Sequence, residues 1–311
     1  MIKPRIRRYE EKDKDLFLDL CDKIDSLCNE CSGTGGSAGR LAFRSEHYSS
    51  EHHLLAFRGR RLAASSIMVE DPIHIRRSGY FARITVLVDP AFRGRGLEGR
   101  LVDMHSGDAK DTGLRGLDVF LESRDEWGVD SFAGMGFFDT GDGYLRLERD
   151  LDSLESAGIP SGFSVRKPVI PYDLEDIVRV MNVCCSTNQD HVPFTSDFIS
   201  KRSYISDPRN LDGGFLLLEG DDVVGTVFST VELCPSGSGR IGGVHALGIA
   251  PKNRGKGLAR GLVLLSLDWM NENYVSRAYL YVDRNNKAAC ELYRGLGFNV
   301  VEDWILYRKS I

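Results

Sequence analysis

Set against itself at an offset of 161 residues, the chain repeats from Asp15 and Asp176 through Phe137 and Phe298 with little net insertion. The matched pairs include Leu55/Leu216, Gly59/Gly220, Pro90/Pro251, Arg93/Arg254, Gly94/Gly255, Gly96/Gly257, Leu97/Leu258 and Gly136/Gly297. Clustering at glycines means that the same turns recur, and a long unit occurring twice is a duplicated domain rather than a solenoid. A length of 311 residues suits two domains. Leu151 to Ala157 reads as a short helix that Gly158, Pro160 and Gly162 end, so the boundary is set near residue 160, giving domains 1–160 and 161–311.

Both halves read alike. A short strand (Ile6 to Arg8; Ser164 to Arg166) precedes a helix (Asp15 to Cys28; Leu174 to Cys185). A hairpin with a glycine turn follows, Leu54 to Phe57 with Leu62 to Val69 and Phe215 to Leu218 with Val223 to Leu233. Next come a strand and a helix, Phe81 to Val88 then Leu97 onward, and Gly243 to Ile249 then Leu258 onward. Leu258, Leu262, Leu265 and Trp269 share one apolar face of the last helix. A further strand (Leu117 to Leu121; Ala278 to Val282) and a short helix ending in Gly-Phe complete each unit. The fold class is α/β, a mixed sheet flanked by helices, built twice.

Composition narrows the partners. A net charge of −5 provides no broad attraction for nucleic acid or an anionic membrane. No stretch approaches the roughly 20 apolar residues of a membrane span, and basic Met1 to Arg8 leads into no apolar segment, so a cytoplasmic protein is expected. The seven cysteines are scattered and odd in number, unlike a secreted disulfide framework. Cys28 and Cys31 form a CxxC pair upstream of His47, His52 and His53, but a zinc site takes four ligands and no second pair exists, so no metal is expected. Gly33 to Gly39 lacks the Lys-Ser/Thr ending of a nucleotide loop and reads as surface loop. A small molecule or peptide remains as partner; oligomeric state is not indicated.

The segment from Leu247, Gly248 and Ile249 through Pro251, Arg254, Gly255, Lys256, Gly257, Leu258 and Ala259 runs from a strand into a helix. Successive backbone N–H groups in such a turn form a nest for pyrophosphate, the helix start adds partial positive charge, and small residues allow close approach. Here the chain resembles the GNAT superfamily of acyl-CoA-dependent N-acyltransferases. A second signature, Asn286-Lys-Ala-Ala-Cys-Glu-Leu-Tyr293-Arg-Gly-Leu-Gly-Phe298, resembles the family motif NxxAxxLYxxxGF. The resemblance implies two tandem GNAT domains, acetyl-CoA or another acyl-CoA as co-substrate, Asn286 along the pantetheine arm and Tyr293 near the thioester sulfur.

Acyl transfer to an amine needs a proton acceptor for the ammonium, donors for the tetrahedral oxyanion and a proton for the departing thiolate. His245 lies nine residues before Arg254 on the strand entering the turn, and an imidazole titrates near pH 6.5. His245-Ala246-Leu247 also resembles the same strand of the serotonin N-acetyltransferase family, where a histidine accepts the proton. Glu232 is the alternative base, Tyr293 the acid, and N–H groups between Leu247 and Ile249 would meet the thioester oxygen and pantetheine amides. The first half has Ile84, Phe132, Asp125 and Glu98 where the second has His245, Tyr293, Asn286 and Ala259. It reads as non-catalytic, because a carboxylate stands where pyrophosphate should approach. The tandem layout resembles the mycothiol synthase family, in which both halves are associated with acetyl-CoA binding; Glu98 and Phe132 depart from that pattern. The sequence therefore predicts an acetyltransferase acting on a primary amine of a small molecule or peptide, binding one acyl-CoA per chain. The rival reading is a silent acyl-CoA-binding sensor or scaffold. Acceptor choice is assigned to Ser186 to Pro208 and Cys234 to Gly242.

Overall fold

The computed structural model describes residues 4–27, 36–152, 155, 158–185, 192–233 and 239–311. Along the first half run β1 (Arg5–Arg8), α1 (Lys14–Leu27), α2 (Gly36–Phe43), β2 (His53–Arg58), β3 (Arg61–Val69), α3 (Pro72–Ser78), β4 (Phe81–Val88), α4 (Leu97–Asp111), β5 (Gly116–Glu122), α5 (Glu126–Gly134) and β6 (Phe138–Asp150). The second half repeats them as β7 (Ser164–Arg166), α6 (Leu174–Cys185), β8 (Phe215–Glu219), β9 (Asp222–Leu233), β10 (Arg240–Ile249), α10 (Leu258–Glu272), β11 (Arg277–Asp283), α11 (Lys287–Gly295) and β12 (Asn299–Ser310), with the short helices α7 (Ser196–Ser200), α8 (Ser203–Ser206) and α9 (Pro208–Leu211) between α6 and β8. The opening elements, hairpins, crossover helices and penultimate strands lie where the repeat predicts. Gly36 to Gly39 correct the surface-loop reading, since they open α2 and pack so closely on Cys21 that a side chain at Gly36 would overlap its backbone. Cys28, Cys31, Gly33 and most of the expected helix after Leu151 lie outside the described residues.

The final strand of each half was not foreseen, and it changes how the chain divides. One compact unit comprises residues 1–145, 283–285 and 302–311; the other comprises 146–282 and 286–301. In the first unit the strand order is β1-β2-β3-β4-β5-β12, and β12 pairs antiparallel with β5 from Trp304↔Glu122 to Ser310↔Gly116. Tyr307 joins the core there with Ile84, Val119 and Phe137. In the second unit the order is β6-β11-β10-β9-β8-β7. Leu147 of β6 is fully buried, and Asp150 accepts a 2.9 Å hydrogen bond from Arg277 of β11. Each unit thus completes its sheet with a strand from the other half of the sequence, in place of a contiguous cut near residue 160.

The parallel pair at the centre of each unit is short. β10 meets β11 only from Ile241↔Arg277 to Gly243↔Tyr279, although β10 continues to Ile249. β4 and β5 do the same from Phe81↔Gly116 to Arg83↔Asp118. Past these ladders, the strand leading into the glycine turn has backbone groups without a parallel partner, which need acceptors and donors from elsewhere.

Candidate active site

Pro251–Asn253 form one 3-10 turn, after which Gly255 and Gly257 both adopt φ +79°, a left-handed conformation open chiefly to glycine. Gly257 caps α10 and no side chain occupies the cap, so the first-turn N–H groups of a 15-residue helix face outward. Arg254 is used differently from the expectation of a phosphate contact. Its Nε donates to the Ile249 carbonyl at 3.1 Å and an Nη to the Cys184 carbonyl at 3.0 Å, tying the turn to the end of α6.

The strand before this turn is irregular in the second unit alone. Pairing of β10 with β9 shifts register between His245 and Gly248, and Ala246 sits at φ +47°. That is a bulge, which re-aims the strand, and Thr226 satisfies its carbonyl by donating to Ala246 O at 2.9 Å. In the first unit β3 and β4 pair without a shift from Ala64↔Val88 to Val69↔Arg83. On the same face as His245, at register positions fixed by β9 and β11, stand Thr230, Glu232 and Tyr279. His245 Nε2 lies 2.9 Å from Thr230 Oγ1, Thr230 donates to Glu232 Oε1 at 3.4 Å, and the Tyr279 hydroxyl donates to the same oxygen at 3.0 Å. The carboxylate can only accept, so a threonine proton pointing at Glu232 makes Oγ1 the acceptor from Nε2–H and leaves Nδ1 as the imidazole lone pair.

Packing fixes the ring. Tyr204 of α8 stacks on His245 with centroids 5.4 Å apart, and Tyr279 meets it edge-on at 6.2 Å. Gly243 has to be glycine, because a methyl there would overlap His245 Nε2. The buried Asn210 side chain accepts from Val231 N and donates to Ser203 O, holding α8 against β9. Burial lowers the imidazole below its ordinary value, opposed by the Glu232 charge, so His245 is neutral at pH 7. Glu232 itself is exposed.

Tyr293 lies on α11, 7% exposed, its ring edge-on to Phe298 at 5.9 Å; burial pushes its phenol up to about 12. Asn286 caps α11, its carboxamide oxygen accepting from Ala289 N at 3.1 Å. Asp125 performs the same capping in the first unit, accepting from Gly128 N at 3.1 Å, so the two positions are structurally equivalent despite their difference in charge.

The first unit keeps the frame of this turn with different side chains. Gly94 and Gly96 retain positive φ. Arg93 stacks on Trp127 at 4.4 Å, and Trp127, with Val86 and Phe92, packs against the core that includes Val88, Leu97 and Leu101. Glu98 is 8% exposed, with Oε2 buried and without a hydrogen-bond partner among the described residues. The side chain is thus held inside rather than turned to solvent. On the other side Asp118, at the register position of Tyr279, is buried in a bidentate pair with Arg308 and lies 3.1 Å from His74 of α3.

Thr230, Tyr279, Tyr204 and Gly243 were missed in the sequence, though alternation in strands β9 and β11 places Thr230 beside Glu232 and Tyr279 beside Tyr281. Of the acceptor segments, residues 186–191 and 234–238 lie outside the described residues.

Residues 176–298 match the acetyltransferase (GNAT) family. A mycothiol acetyltransferase of Renibacterium salmoninarum is 32% identical over 157 residues, covering 50% of this chain and 46% of that protein, about half its length. A mycothiol acetyltransferase of Kytococcus sedentarius is 28% identical over 295 residues, covering 88% of this chain and 92% of that protein. Among solved structures, a tandem GNAT protein from the clavulanic acid biosynthesis pathway has a TM-score of 0.74 at 14% identity, covering 99% of this chain and 98% of that one. The last likeness speaks for the tandem GNAT fold. No helix among the described residues is long and apolar enough to cross a membrane.

Proposed function

Because the chain belongs to the GNAT acetyltransferase family, we propose that its second unit moves an acetyl group from acetyl-CoA to the primary amine of a small molecule, through His245, Thr230, Glu232 and Tyr293. The observation that carries this is the hydrogen-bonded line of His245, Thr230 and Glu232 beside a bulged, splayed strand and an uncapped glycine turn. The turn and the α10 start suit the pyrophosphate, and the N–H groups between Leu247 and Ile249, past the ladder with β11, suit the pantetheine amides and the thioester oxygen. Exposed Glu232 attracts the incoming ammonium. Its proton passes to His245 Nδ1, and the imidazolium formed is stabilised through Thr230 by the Glu232 charge. The neutral amine attacks the thioester carbon, the carbon–sulfur bond breaks, and the thiolate departs beside the Tyr293 hydroxyl and takes up the second proton that the nitrogen gives up as the amide forms. The relatives' name supports an acceptor related to mycothiol. A silent acyl-CoA sensor has no need of a base linked to a carboxylate.

His245→Ala is expected to cut kcat/KM at pH 7 by about 10²- to 10⁴-fold and to recover partly at alkaline pH, where the amine is already neutral. In the unmodified protein the acid limb should lie below the ordinary imidazole value, since burial favours the neutral ring. A variant with an unaltered pH profile would remove His245 from the mechanism and leave Glu232 as the base, which Glu232→Gln would then test.

One acetyl-CoA is expected to bind per chain, in the second unit, because in the first Glu98 places a carboxylate in the opening turn of α4 and Arg93 is engaged by Trp127. Calorimetry should show a single site that Gly257→Glu abolishes, and a second, weaker site in a Trp127→Ala/Glu98→Ala double variant. Two equivalent sites in the unmodified protein would overturn the assignment.

A further inference from the structure

We propose that Arg146, carried on the strand the second unit takes from the first half of the sequence, is a positioning residue for acetyl transfer that fixes Tyr279 and, through it, Glu232. The proposal rests on the functional reading above and adds to it a residue that lies outside the matched family segment of 176–298.

The guanidinium of Arg146 lies over the Tyr279 ring, 5.2 Å from its centroid. It is held there by Glu148, two residues along β6, through a 2.7 Å ion pair in which both side chains are mostly buried, at 20% and 17% exposure. Glu148 is itself steadied by Arg277 of β11 at 3.4 Å. Arg146 is thus a prearranged cation on an aromatic face, a contact worth more when it is desolvated. Its effect travels along one short path. A cation over the ring polarises the phenol, the phenol donates to Glu232 Oε1, and that oxygen also receives the Thr230 hydroxyl bonded to His245. Without Arg146 that face of the ring loses its cation, and an exposed glutamate with a slack donor samples orientations that do not meet the acceptor amine. Cofactor binding should be untouched, because the turn at Gly255 to Ala259 makes none of these contacts.

Arg146→Ala is expected to lower kcat/KM for the amine about tenfold while leaving KM for acetyl-CoA within about twofold; Arg146→Lys, which keeps the charge but not the planar stack, should regain part of it. Tyr279→Phe should mimic Arg146→Ala, and the double variant should be no worse than Tyr279→Phe alone, because both act through one hydroxyl. An NMR titration gives a readout free of turnover. The His245 resonance, identified by its loss in His245→Gln, should titrate roughly 0.3 to 1 pH unit lower in Arg146→Ala, since the Glu232 charge that favours the imidazolium is then held less firmly beside it. The groups facing His245 are Tyr204, Tyr279 and, through Thr230, Glu232. Additive losses in the double variant, or an unshifted His245 titration, would overturn the proposal. A protein inert toward every amine would instead sink the functional reading, with the titration still deciding the role of Arg146.

Discussion

A chain cut to residues 161–311 is expected to show no acetyl transfer and no cooperative melting, although it contains the entire matched GNAT segment. The cut removes β6, and with it the fully buried Leu147, the Arg146 and Glu148 pair, and the Asp150 contact to Arg277. Losing one buried leucine side chain costs about 2–5 kcal/mol, against a total stability of about 5–15 kcal/mol for a domain. The cut also leaves β12 without β5, its antiparallel partner. A chain spanning residues 144–301, which holds the second unit in one piece, should by contrast melt cooperatively and bind acetyl-CoA. Circular dichroism melts and thiol-release assays on both fragments decide the matter. Full activity of 161–311 would mean that β6 has no part in the catalytic unit.

Tyr293→Phe should reduce kcat by about 10- to 10⁴-fold in a chemistry-limited assay with KM for acetyl-CoA nearly unchanged. The fold should tolerate it, because Phe132 occupies the equivalent place in the first unit, edge-on to Phe137 at 5.1 Å. The phenol at about 12 is a weaker acid than a reference thiol near 8.5, so full proton transfer to the thiolate is uphill by more than three pK units, about 5 kcal/mol. Tyr293 therefore stabilises the leaving sulfur as a hydrogen-bond donor and keeps its proton. Its folded-state value is raised, so the hydroxyl stays protonated well past the ordinary tyrosine value near 10. The rate should accordingly show no alkaline loss attributable to Tyr293 up to about pH 10. Unchanged kcat in the variant would dismiss its role.

What the sequence made legible was whatever local chemistry dictates. Gly257 and Gly96 specify left-handed turns wherever they fold, and the strands on either side follow from apolar runs bounded by those turns. His245, Glu232 and Tyr293 stood out as chemical groups. Their connection through Thr230 did not, because it depends on register between β9 and β10, and the bulge at Ala246 has no signature in Val244-His245-Ala246-Leu247. The last strands escaped for another reason. In Phe138–Asp150 charged residues outnumber aliphatic ones, in Asn299–Ser310 they equal them, and both lie beyond the end of the aligned repeat. Which unit each joins is then a matter of tertiary packing, of Leu147 in one and Tyr307 in the other. At Glu98 the charge was visible in the sequence, but the neighbouring Trp127 and Arg93 stack was not, being an arrangement of residues about 30 positions apart.

The exchanged strands also set an order of events during synthesis. The first unit is built to Leu145 early, yet its sheet is finished only by residues 302–311. At 5–20 residues per second the ribosome takes on the order of 10 s to cover that gap, and throughout it β5 presents an unpaired edge. A bare strand edge is a template for association with other chains. Slowed translation late in the message should therefore lengthen the exposure of that edge, making soluble yield a function of elongation speed.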